Sequence, residues 1–272
     1  MERARLNFPE YLVQHCRAFA SRNGILLILT AFLAVGLKIH YSLAGSEELD
    51  WILRPTAGLV EQVSGIPFEK ESHTGFVNYA RRIVIAPACA GVNFLIIVFC
   101  MAAVAGVRQL PNGGRKWLWL LGSLAASYAL TVLANTGRIL VSIHTYDADY
   151  RFGGLTPEQV HRLEGVVIYF FFLCLFYRII ITVCFLLGAT KKQNGVKHPV
   201  IVAAPWASAA LVPLFWYGLI TLALPALNGA VVRDEARFTE HAAMIILGCL
   251  AVWAFIFVIQ SAWRRLKPVL LR

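Results

Sequence analysis

Charge is what this sequence is short of. Only 15% of its 272 residues are Asp, Glu, Lys or Arg, against about a quarter in a soluble domain. Hydrophobic residues make up 58%, and the mean hydropathy is +0.65. This mix excludes disorder, a collagen-like chain, a coiled coil and a small disulfide scaffold. One or two soluble cores are too small to hide so much apolar side chain, so an ordinary soluble enzyme does not fit either. Six cysteines occur, at 16, 89, 100, 174, 184 and 249, with no CxxC pair and no Cys/His cluster at zinc-ligand spacing. There is no internal repeat and no low-complexity tract. The class that remains is an all-α, polytopic membrane bundle.

Six stretches are long enough to cross about 30 Å of hydrocarbon at about 1.5 Å per residue. They are 24–45, 88–107, 117–135, 165–188, 200–227 and 242–263. The third has room to run on through Ile143. The fifth carries Pro205, Pro213 and Pro225, which predict a kink or a shorter span. The first lacks a convincing cleavage site and is expected to be retained as a span rather than removed as a signal peptide. No soluble domain of ordinary size fits in the remainder, so 1–272 reads as a single integral membrane domain.

The net charge of +10 would suggest nucleic acid in a soluble protein. Here the basic residues sit between apolar runs, which fits membrane topology instead. Fourteen Lys and Arg flank one set of span ends, in short segments before span one, after spans two and four, and after span six. Nine lie in the opposite set, in longer loops with most of the acids. Both termini are therefore expected in the cytoplasm, and segments 46–87, 136–164 and 228–241 outside. The first of these has apolar residues at Leu53, Ala57, Val60 and Val63, a helical spacing. Gly65 and Pro67 follow, then a polar stretch and Ile83-Val84-Ile85. This predicts an amphipathic helix on the membrane surface, then a loop or hairpin into span two; a passive cap is the alternative.

Three places carry groups suited to chemistry. In Ala86-Pro87-Ala88-Cys89-Ala90-Gly91, Pro87 suits a first helical turn, which would set Cys89 at the outer helix end, where a thiolate is favoured. Gly91 leaves room for a peptide to approach, and Asn93 shares a face with Cys89 as a hydrogen-bond donor. In Asn135-Thr136-Gly137-Arg138, Asn135 and Arg138 share a face. A guanidinium there serves either as an interfacial anchor or as the cation that holds an oxyanion. Thr156-Pro157-Glu158 reads as a helix start, with Thr156 as cap. His161 would then lie near the outer surface, able to take a proton from a thiol. His73, His144 and His241 are outward-side rivals. Each residue alone has a plain packing or anchoring explanation. Their conjunction at one interface is the set of parts that cysteine-based acyl transfer needs.

At these motifs the chain resembles the exosortase/archaeosortase family, and looks most like its exosortase K branch. The matching pieces are Pro55-Thr56-Ala57 with Gly65-Ile66-Pro67-Phe68, Ala88-Cys89-Ala90-Gly91-Val92-Asn93-Phe94, Asn135-Thr136-Gly137-Arg138, and His161 with Gly165. They define a core of about 50–185, with 200–227 and 242–263 as additional spans. The resemblance implies a bacterial inner-membrane cysteine protease or transpeptidase. Its partners would be exported proteins ending in a short motif such as Pro-Glu-Pro, one membrane span and a basic tail. It implies Cys89 as nucleophile, Arg138 as stabilising cation and His161 as proton carrier. Two departures stand out: Ala90 replaces the serine that many relatives have after the cysteine, and some relatives have more than six spans. No appended polysaccharide-export domain of the kind some family members carry is expected from these 272 residues. Spacing implies no metal or organic cofactor. The rival class is a non-enzymatic transporter or assembly scaffold for an envelope system, which Lys38 and His40 in span one and Arg178 in span four would suit.

Overall fold

The structure is a computed structural model that describes residues 8–110, 113–147, 154–189 and 209–270. Residues 200–208 of the fifth expected span, and the basic residues Lys191, Lys192 and Lys197 before it, lie outside the described residues. Helix α1 (Phe8–Leu43) leads through a short turn into α2 (Asp50–Ser64). Three short strands follow: β1 (Glu69–Glu71), β2 (Gly75–Asn78) and β3 (Ile83–Ile85). A 3-10 turn (Pro87–Cys89) precedes α3 (Val92–Gln109). Then come α4 (Gly113–Asp147), α5 (Pro157–Ala189), α6 (Leu211–Leu227), the single turn α7 (Ala230–Arg233) and α8 (Glu235–Leu270).

Among the described residues, five segments are long and apolar enough to cross a membrane: Asn23–Leu43, Pro87–Val107, Gly113–Tyr146, Pro157–Leu187 and Glu235–Trp263. They correspond to spans one, two, three, four and six of the sequence reading. In the region of the fifth, α6 is a shorter apolar helix with a π-helical turn at Leu219–Ala223. Pro225 explains the disturbance, because it has no N–H to return to the preceding turn.

Helix α3 is the axis of the bundle. In an 18-residue apolar window of its span 72% is buried, against 11% in that of α1. A helix that is apolar on every side is stable only when neighbours cover every side. One face of α3 (Phe94, Ile97, Val98, Met101) packs into a core shared with α4, α5, α6 and α8. The other face (Leu95, Ile96, Phe99, Cys100, Ala103) packs with α1, α2 and a second side of α4. By contrast α1 leaves Ile25, Ile28 and Phe32 exposed, as a helix facing lipid does.

The amphipathic helix of the sequence reading forms as α2, with Ile52, Leu53, Thr56, Ala57 and Val60 buried and Val63 exposed. Its apolar face is turned to α4 rather than to a lipid surface. Trp51 stacks on Tyr128 at 5.8 Å, and the Tyr128 hydroxyl donates to the Trp51 carbonyl at 2.8 Å. The following segment is more than a loop. It folds into an antiparallel sheet in the order β1-β2-β3, with Glu69 opposite Val77 and Phe76 opposite Ile85. Asn78 ties the sheet to the segment that follows α2 by donating to the Pro67 carbonyl at 2.7 Å. Strand β3 runs straight into the turn that carries Cys89.

Candidate active site

The start of α3, the second half of α4 and the start of α5 converge at one end of the bundle. The other end is marked by Lys116 on α4, which donates to Asn23 on α1 at 2.5 Å. Of the cysteines whose side chains are described, Cys100, Cys174, Cys184 and Cys249 are buried, and Cys89 is half-buried with a free thiol.

Cys89 stands ahead of the helix rather than in its first turn. Pro87 opens a 3-10 turn, closed by bonds from Cys89 N–H to the Ala86 carbonyl (2.7 Å) and from Ala90 N–H to the Pro87 carbonyl (3.0 Å). Gly91 then takes φ +69°, and α3 begins at Val92. The left-handed residue breaks the helical path that Pro87 alone would suggest, and glycine adopts it without strain. A Cβ here would also press on the Tyr169 hydroxyl at 3.2 Å and on Thr131 at 3.3 Å. Ala90 is fully buried in the α1–α2–α3 core.

Asn135 lies on the face of α4 that meets this turn. It is fully buried, and its side-chain amide donates to the main-chain carbonyl of Cys89. Its own Oδ1 accepts from the Tyr169 hydroxyl of α5 at 2.8 Å. The Tyr169 ring stacks on Phe94 of α3 with centroids 4.6 Å apart. The Arg138 guanidinium lies 5.6 Å from the centre of that ring, with Nη1 3.4 Å from its hydroxyl. Arg138 also donates from Nη2 to His161 Nε2 at 2.8 Å. The three residues singled out from sequence are therefore neighbours through one network.

His161 is held on its other side. Ser142 Oγ is 2.8 Å from His161 Nδ1 and donates to Glu164 Oε2 at 2.8 Å. Thr156 caps α5 as expected: its hydroxyl accepts from Gln159 N–H at 3.3 Å, while Gln159 Oε1 accepts from Thr156 N–H at 2.9 Å. This reciprocal pair is the capping box of a helix start. Arg162 points away from the site and pairs with Glu240 of α8 at 2.7 Å.

Asn93 does not serve Cys89 as the sequence reading expected. Its Oδ1 accepts from Lys38 Nζ of α1 at 2.8 Å, which also gives that span-one cation a partner. His73, one of the rivals, is exposed in the β1–β2 turn, and His144 and His241 are exposed on their helices. Sequence reasoning missed Ser142, Glu164 and Tyr169. Their signal was helical spacing: Ser142 is four residues after Arg138, and Glu164 and Tyr169 are three and eight after His161.

A guanidinium and an imidazole in direct contact, tied through Tyr169 and Asn135 to the main-chain carbonyl of a half-buried cysteine at one end of a multi-span bundle, define an integral membrane protein with a polar site at its rim. Residues 17–178, well over half of the chain, match the transmembrane exosortase family (Exosortase_EpsH). The chain belongs to that family, and the matched stretch holds Cys89, Arg138 and His161. No curated protein and no solved structure matches the chain.

Proposed function

We propose that this protein is a membrane-embedded cysteine transpeptidase or protease, of the exosortase K kind, that removes the C-terminal sorting signal from exported proteins. One observation carries the reading: in a chain that belongs to the exosortase family, Arg138 and His161 are in direct contact and are linked through Tyr169 and Asn135 to the main-chain carbonyl of Cys89. An arginine is a costly stabiliser near hydrocarbon, whereas an interhelical hydrogen bond returns only about 0.6–2 kcal/mol. A network of this kind is better accounted for by chemistry than by stability.

The catalytic core is about 50–185 within one membrane unit, with both termini cytoplasmic and the site at the outer face of the bacterial inner membrane. A substrate tail of motif, span and basic residues lies in the bilayer beside the bundle. The Cys89 sulfur gives its proton to His161 and bonds to the scissile carbonyl carbon. The carbonyl electron pair moves to oxygen, and Arg138 stabilises that oxyanion. The pair returns, the C–N bond breaks, and His161 passes the proton to the leaving amine. The thioester on Cys89 is then released by an amine acceptor or by water.

The test is capture of that thioester. Membranes containing the protein are incubated with a synthetic peptide made of a Pro-Glu-Pro motif, an apolar span and a basic tail, and Cys89 is examined by mass spectrometry. The expected result is a hydroxylamine-labile acyl adduct on Cys89. An adduct on a different cysteine, or tail removal by Cys89→Ala, would overturn the reading.

A further inference from the structure

The bonds behind His161 run in one direction. A guanidinium has only donors, so the 2.8 Å contact from Arg138 Nη2 makes His161 Nε2 an acceptor. The ring proton of the neutral imidazole then belongs to Nδ1, which faces Ser142 Oγ at 2.8 Å. The Ser142 hydroxyl accepts that proton's bond and sends its own hydrogen to Glu164 Oε2, also at 2.8 Å. An acid and a permanent cation therefore sit at the two ends of a hydroxyl–imidazole bridge. Every link crosses between α4 and α5.

We infer that Ser142 and Glu164 are positioning residues, which hold His161 in the Nδ1–H tautomer so that its Nε2 faces Arg138. This rests on the function proposed above. In the resting site Nε2 is occupied by Arg138. When an oxyanion forms, the guanidinium turns to it and Nε2 is freed at the step that needs a base. The thiol proton moves to Nε2 as the sulfur–carbon bond forms, and the imidazolium remains bonded through Nδ1–H and Ser142 to Glu164. The carboxylate offsets the new charge without taking the proton, as the third member of a catalytic triad does. The arrangement couples the cation's arrival at the oxyanion to the base's release.

Two readouts test this on the full-length protein in lipid nanodiscs. The first is the 15N spectrum of His161, identified by difference against His161→Gln. It should show a protonated Nδ1 and an unprotonated Nε2 in the wild type; in Ser142→Ala, where Arg138 still occupies Nε2, the tautomer should persist but the Nδ1 resonance should shift as its proton loses its acceptor. The opposite tautomer in the wild type overturns the inference whatever the protein's activity. The second is steady-state turnover of the motif–span–tail peptide. Ser142→Ala should lower kcat about 10–100-fold with KM within about twofold, the pattern of a group that matters in the transition state. Ser142→Thr, which keeps a hydroxyl, should stay within about threefold of the wild type, and Glu164→Gln added to Ser142→Ala should cost less than about threefold more, since residues in series are not additive. Wild-type kcat in Ser142→Ala would also overturn it. Turnover by Cys89→Ala would defeat the proposed function instead, and the tautomer would still decide the relay.

Discussion

Gly165 stands where any side chain would collide with Arg138: a Cβ built on it falls 2.9 Å from the guanidinium Nε. The two residues belong to α5 and α4, so the glycine sets how closely these helices approach at the level of the site. Gly165→Ala should displace the guanidinium from His161 while leaving the rest of the α4–α5 contact intact. The expected outcome is a loss of about 10–100-fold in kcat, consistent with the sensitivity of catalysis to shifts of about 1 Å. The apparent melting temperature in nanodiscs should change little. A large drop in melting temperature with normal turnover per folded molecule would make Gly165 a packing residue only.

Arg138 makes a directed contact to His161 at 2.8 Å and a second, longer one to the Tyr169 hydroxyl at 3.4 Å. Lysine keeps the charge but is a point donor on a flexible stem. Arg138→Lys is therefore expected to lose at least about 100-fold in kcat, the scale of removing an oxyanion donor. Peptide cleavage assayed at matched protein levels checks this. Wild-type-like turnover would reduce Arg138 to a membrane anchor.

Tyr169 joins two halves of the site through one oxygen. Its hydroxyl donates to Asn135, whose amide holds the carbonyl of Cys89, and its ring stacks on Phe94. Tyr169→Phe preserves the stack and deletes the oxygen. Asn135 then loses the bond that orients its amide, and the Cys89 turn loosens. We expect kcat to fall about tenfold and the iodoacetamide labelling rate of Cys89 to change with it. Unchanged values of both would show that the Asn135 amide is oriented by other contacts.

Outside the spans, Asp50 joins α2 to the sheet. It accepts from Arg54 Nε at 2.8 Å and lies 3.1 Å from Lys70 Nζ, which also meets Glu47 at 2.7 Å. The Arg54 hydrogen bond, followed by Lys70, holds the Asp50 carboxyl below the usual carboxylate range. A folded pKa below the unfolded one contributes stability that is complete above about pH 4 and lost as pH falls through the folded value. Because the groups are exposed, the effect is small. Amide exchange in β1 and β2, corrected for intrinsic rates, should accelerate as pH drops from about 5 to about 3. The acceleration should be weaker in Asp50→Asn; equal acceleration in the two proteins would contradict the assignment.

Composition made the spans legible, because a run of about twenty apolar residues has few other fates in a folded chain. The face of α2 followed from the spacing of Leu53, Ala57 and Val60, and the start of α5 from Thr156-Pro157. The sheet was legible only as the hairpin alternative before span two, not as three strands. Its strands are three or four residues long, and Glu69-Lys70-Glu71 is exposed throughout, so no alternation marks it. The position of Cys89 was misjudged because Pro87 signals a helix start whose first turn turns out to be 3-10, and Gly91 postpones the α-helix to Val92. Asn93 was given the wrong partner because Lys38 is on another helix, and spacing reports neighbours only within one. The same limit hid Ser142 and Glu164. Their faces were readable from position, but the meeting of α4 with α5 was not.

The central claim is that the Cys89 sulfur performs the cleavage, and the intact mass of a substrate tests it most directly. An exported protein ending in motif, span and basic tail is produced in cells with the wild-type protein or with Cys89→Ala, each confirmed in the membrane at equal level. The account predicts loss of the C-terminal span and tail with the wild type and an unprocessed chain with Cys89→Ala. Equal processing by both would contradict it.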